Sequence, residues 1–98
     1  IGIVIGRNVI SERDLCVYQN VTIGGSDEKK RIHNGQIIEQ PYFGEGVKVY
    51  ASAVVIGPVV VGNNSVIAAN STIFKDIDSD MMAYGTNKTK NLHSKSNL

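Results

Sequence analysis

Ninety-eight residues suit a single domain with a modest core. With 42% hydrophobic and 19% charged residues and a formal net charge of +1, the composition is that of a globular chain without the clustered basic face that nucleic acid demands. The longest apolar runs fall far short of the roughly 20 residues that cross a bilayer, and the opening residues do not read as a secretory leader.

The chain begins at Ile1, inside an apolar pattern, which reads as the C-terminal part of something longer or as a chain whose upstream residues were removed. Stepping by six from Ile5 gives Ile5, Ser11, Val17 and Ile23. Restarting at Phe43 gives Phe43, Val49, Val55, Val61, Ile67 and Ile73, so only Ser11 breaks the apolar rule. A second, smaller set follows each anchor by four: Val9, Leu15, Val21, Val47, Ala53, Val59, Ser65 and Ser71. A helix would need spacings of three and four, and a plain hairpin sheet would turn every eight to twelve residues. A fixed six, in segments dense in Val, Ile and Gly, predicts very short strands with a bend after each. Such a chain coils so that successive turns stack about 4.8 Å apart with the anchors inside. Gly, Asn and Ser at the bends tolerate the tight or left-handed backbone required there.

Between Ile23 and Phe43 the count fails, and Ser26 to Gln40 reads SDEKKRIHNGQIIEQ, charged and polar with a turn signal at Asn34-Gly35. This predicts a loop thrown out of the coil over residues 26–41. The segment FKDIDSD after Ile73 is expected to end the repeats. The coil is expected over 1–86, and 87–98 is expected to be a polar, frayed tail. The lone Cys16 excludes an internal disulfide, fits a reducing cytoplasm and reads as a small filler residue. Tyr18, Tyr42, Tyr50 and Tyr84 fall beside anchors or bends, where packing on outer faces or at a subunit seam is expected.

Three segments, GIVIGRNVI (Gly2 to Ile10), YQNVTIGG (Tyr18 to Gly25) and VVIGPVVVGNNSVIAANSTIFKDI (Val54 to Ile77), resemble the hexapeptide-repeat acyltransferases. The similarity is to the serine acetyltransferase-like branch, which includes sugar and polysaccharide O-acetyltransferases. The resemblance implies an all-β fold, a single-stranded left-handed parallel β-helix with one ejected loop, assembled as a homotrimer. It implies acetyl-CoA as co-substrate in a groove between neighbouring coils, no metal, and a histidine base acting on an acceptor hydroxyl. That chemistry is sensible, because an alcohol is a poor nucleophile until a base near neutral pKa takes its proton.

Carried over residue by residue, the resemblance puts Gly24 and Gly25 beside the thioester, Gly25 with an oxyanion role. Ala51 and Ala69 fall against the pantetheine arm, and Gly85 near the adenine end. After Gly85 the family continues with a Val-Pro-Ala-Arg-like run, where this chain has Thr86, Asn87, Lys88 and Thr89. The principal family histidine would stand just upstream of Ile1. A second family histidine precedes the loop-ending proline; here Gln40 precedes Pro41, which makes Gln40 a candidate acceptor contact and favours a sugar hydroxyl over serine. His33 is the candidate base within the chain, against the simpler reading of a solvated loop histidine. Lys29, Lys30 and Arg31 would suit a phosphate, although Asp27 and Glu28 offset their charge. His93 lies in the expected tail. A zinc-dependent relative of the same fold would need three histidines, and the chain holds two. The competing reading is a non-catalytic, trimerising β-helix scaffold.

Overall fold

Each anchor residue turns inward at the end of a short strand, and a bend re-aims the chain by one face before the next. The computed structural model describes residues 2–26 and 29–92. It contains β1 (Val4–Ile5), β2 (Ile10–Ser11), β3 (Cys16–Val17), β4 (Thr22–Gly24), β5 (Arg31–His33), β6 (Gln36–Ile38) and β7 (Tyr42–Phe43). There follow β8 (Lys48–Val49), β9 (Val54–Ile56), β10 (Val60–Val61), β11 (Val66–Ile67), β12 (Thr72–Ile73), β13 (Met81–Tyr84) and β14 (Lys88–Asn91). Among these residues there is no helix, and so none long and apolar enough to cross a membrane.

The strands form three parallel sheets. Face A runs β1-β4-β9-β12, face B runs β2-β7-β10, and face C runs β3-β8-β11-β13 with β14 added at its edge. A step of six therefore moves one face round the axis, and a step of eighteen returns to the same face: Ile5 pairs Ile23, and Val55 pairs Ile73. The inward columns are Ile5, Ile23, Val55 and Ile73 on face A, and Val17, Val49, Ile67 and Ala83 on face C. Face B supplies Ser11, Phe43 and Val61, extended by a single bridge to Ile77. Ile23, Phe43, Val49, Val55, Val61, Ile67 and Ile73 are fully buried, each stabilising the coil by about 1.5–3 kcal/mol. The second set fills the corners, where Val21, Val47, Ala53 and even Ser65 are sealed from solvent. Ser65 donates its hydroxyl to Asp78 O at 2.7 Å, which satisfies it. At the end formed by the first coil, Ile3, Val4 and Ile5 are exposed.

Two of the three corners are built alike. Ahead of face A the left-handed positions are Gly2, Asn20, Ser52 and Asn70, and ahead of face C they are Asp14, Gly46, Asn64 and Asp80. Asn, Asp and Gly visit this region at lower cost than other residues. Each bend is tied to the coil beneath it, as where Asn70 N donates to Ala51 O and Asn64 N to Glu45 O. The corner from face A to face B has no such column, and from it the insertion leaves.

Three expectations are corrected. The segment expected as a loop leaves the coil and turns at Asn34 and Gly35, with φ of 50° and 77°, but it carries strands: β5 and β6 form an antiparallel hairpin. The repeats do not stop at Ile73. The chain reaches buried Ile77 in four residues instead of six, then resumes with Ala83, so FKDIDSD shortens one side and does not end the coil. Finally, the stretch from 87 is not frayed at its start. Asn87 accepts from Phe74 N and Lys75 N through its side chain, and β14 pairs antiparallel with β13. His93 and the rest of the expected tail lie outside the described residues.

Candidate functional site

The candidate residues fall into two groups on the borders of face A and a third over face B. On one border stands a column of small residues: Ala51, Ala69 and Gly85 follow Val49, Ile67 and Ala83 by two, one coil above another. Backbone hydrogen bonds tie the turns together beside it, with Asn70 N to Ala51 O at 2.9 Å and Thr72 N to Gly85 O at 2.8 Å, the latter drawing Gly85 toward the level of Ser71. The outward side chains of face A itself are Val4, Thr22, Val54 and Thr72.

On the other border, Gly6 and Gly24 stack at the end of β1 and β4. A Cβ placed on Gly24 would meet nothing within 4 Å, so the glycine is not there for want of room inside the protein. Gly25 is different: a Cβ there would lie 3.1 Å from both Gln40 Cγ and Glu39 O. Gln40 runs from Gly25 across to Gly6, where a Cβ would collide with its Oε1. That oxygen is buried and accepts no hydrogen bond. Gln40 is thus the wall between the two lowest turns of this corner. Such an arrangement can cradle an extended, thin ligand along a strip of accessible backbone, with donors at the glycine end.

His33 is not brought to that corner. It sits at the end of β5, where its ring meets Tyr42 edge-on at 4.6 Å over face B. Tyr42 donates its hydroxyl to Glu12 Oε2 at 2.8 Å, and the bond to that carboxylate raises the tyrosine's pKa above its usual value near 10. Partial burial and the negative charge of Glu12 push the same way, and the Asn34 side chain opposes them. Of the loop cations, Arg31 is engaged: its Nη1 lies 2.7 and 2.8 Å from the two carboxylate oxygens of Asp76. Lys30 pairs with Glu39 at 3.6 Å. Cys16 is exposed on face C, not a filler, and Tyr18 stacks on Tyr50 with ring centroids 4.7 Å apart.

Sequence reasoning missed the Glu12–Tyr42–His33 cluster and the Arg31–Asp76 pair. Their members are separated by up to 45 positions, and the only signal was that residues 42 and 76 occupy outward places near the insertion's exit.

Comparison with known proteins bears on this arrangement. The pattern described as bacterial transferase hexapeptide (six repeats) matches residues 41–75. The serine acetyltransferase of Buchnera aphidicola (subsp. Acyrthosiphon pisum) is 33% identical over 84 residues, covering 86% of this chain and 29% of that protein. The Escherichia coli K12 serine acetyltransferase is 31% identical over 84 residues, with the same coverage. Among solved structures, a serine acetyltransferase in complex with cysteine superposes with a TM-score of 0.75 at 30% identity, covering 87% of this chain and 33% of that one. The chain spans under a third of the length of the two relatives. The shared repeat and superposition identify the coil as a left-handed parallel β-helix.

Proposed function

The chain belongs to the hexapeptide-repeat transferases, and from that premise we propose that it forms part of an acetyl-CoA-dependent O-acetyltransferase whose acceptor is the hydroxyl of serine. The observation that carries the reading is the column Ala51, Ala69 and Gly85 facing the open backbone of Gly24 across one sheet. Small residues in register leave a strip along which the pantetheine arm lies extended. The Gly24–Gly25 turn then stands beside the thioester, with backbone N–H available to the oxyanion that forms on attack. A histidine base removes the acceptor's proton as its oxygen attacks the carbonyl, and the CoA sulfur leaves and takes up that proton, giving an O-acetyl ester and free thiol. The proposed base is the histidine that the resemblance puts just upstream of Ile1; His33, held against Tyr42, is the alternative. The proposed assembly is a homotrimer, in which a neighbouring copy closes the strip into a groove.

Serine leads because the relatives over 30% identical carry that name. A sugar hydroxyl is the second candidate, favoured by Gln40 at the place where the family has histidine. The test is release of free thiol from acetyl-CoA by the full-length protein given L-serine or a panel of sugars. Thiol release dependent on one acceptor is expected. No release with any acceptor, from a folded trimer, would leave the scaffold reading in its place.

A further inference from the structure

The hairpin does not lie flat on the coil. Between it and the first turn runs a cleft of about 600 Å³, within the range of small-molecule sites. Val9, Ile10, Ile37 and Ile38 give it an apolar lining, and Arg7, Lys30 and Glu39 supply its charges. Arg31 and His33 engage Asp76 and Tyr42, whereas Ile37, on the other face of the hairpin, lines the cleft and is 66% exposed. A solvated hairpin would put polar side chains there.

The charges do not cancel. Lys30 and Glu39 lie 3.6 Å apart and offset each other. Among the described residues no carboxylate pairs with Arg7, so the described lining offers an occupant the net charge of one guanidinium. The cleft also adjoins the glycine turn: Glu39 is part of its lining, and Glu39 O approaches the Cβ position of Gly25 to 3.1 Å. A molecule held in the cleft therefore reaches toward the place assigned to the thioester.

We propose that this cleft is the acceptor pocket and that Arg7 is its specificity-determining residue, selecting hydroxyl compounds that carry an anionic group. The proposal rests on the acetyl-transfer reading for the word acceptor, but the binding it describes does not. A planar guanidinium binds a carboxylate or phosphate through two parallel N–H bonds. A neutral sugar would leave Arg7 idle.

The experiment is calorimetric titration of the full-length protein, without acetyl-CoA, against L-serine, glucose 6-phosphate and glucose, followed by thiol-release kinetics. The first two probes separate carboxylate from phosphate as the anion. Arg7→Gln is expected to weaken the anionic probe that binds by about tenfold or more, the loss of one charge-assisted contact, and Arg7→Lys to recover part of it. In kinetics the same variant raises the acceptor KM with kcat retained. The proposal is overturned if neither anionic probe binds, if glucose binds as well as they do, or if Arg7→Gln binds them as wild type does. Thiol release with glucose, unchanged by Arg7→Gln, would remove the cleft assignment and leave acetyl transfer standing. Anion binding through Arg7, with no thiol release from any acceptor, would do the reverse.

Discussion

Arg31 and Asp76, forty-five positions apart, tie the base of the ejected hairpin to the side of the coil, with Nη1 2.7 Å from Oδ1 and 2.8 Å from Oδ2. Asp76 Oδ1 also accepts Val60 N at 2.9 Å, and Arg31 reaches Pro58 O at 3.4 Å. The two ends of the contact are therefore unequal. Arg31→Ala is expected to cost about 0.5–1 kcal/mol, because the pair is part-exposed. Asp76→Ala also strips an acceptor from a backbone N–H and is expected to cost about 1–2 kcal/mol. Urea unfolding of both variants checks the order; equal losses would contradict it.

Gly24 and Gly62 make a paired test of what glycine is for. A Cβ on Gly62 would run into the backbone nitrogen of Ser79 and come within 2.7 Å of its Cα, so Gly62→Ala is expected to destabilise by about 1–3 kcal/mol. Gly24→Ala meets open space and is expected to leave the melting temperature unchanged. If the turn serves the thioester, Gly24→Ala nevertheless raises the KM for acetyl-CoA several-fold. Thermal melts and thiol-release kinetics on the two proteins together decide it.

Phe43 is the one aromatic in the inward columns, on face B between Ser11 and Val61. It is fully buried. Phe43→Ala is expected to cost about 3–5 kcal/mol, enough to unfold a marginal coil, while Phe43→Leu costs about 1 kcal/mol. Denaturant midpoints would show the two well apart.

The Tyr42–Glu12 bond has a defined pH signature. The tyrosine's pKa is raised in the fold, so its contribution is complete below the unfolded value near 10 and fades as pH climbs through the higher folded value. Stability of wild type relative to Tyr42→Phe is therefore expected to be flat from neutral pH up to the unfolded value, and to shrink above it. A difference that shrank on acidification between pH 8 and pH 6 would point to another group.

The coil was legible in the sequence because its physics is one-dimensional: an inward position every six residues leaves a periodic mark in Ile23, Val49, Val55, Val61, Ile67 and Ile73 whatever else varies. The Asn34-Gly35 turn was visible too, but not the hairpin around it, since β5 and β6 lack a long apolar alternation. Ile77 escaped because it arrives two residues early. The site was harder to see. Nothing in spacing separates the column of Ala51, Ala69 and Gly85 from the opposite border at Gly24, because that division depends on which face each step of six lands on. Nothing in the sequence singled out Arg7, because its neighbours Lys30 and Ile37 to Glu39 come from an insertion that departs nineteen residues later and folds back beside it.

Partners on a face lie eighteen positions apart, as Val4 and Thr22 do, and across the insertion Thr22 meets Val54 with the pairing otherwise undisturbed. Lengthening, shortening or recoding the hairpin beyond Arg31 and Ile38, which pack on the coil, therefore leaves the stacking of every other rung intact. The surface of this appendage and the solidity of the framework can be altered independently, which makes it the natural place to graft new side chains onto an unchanged chassis.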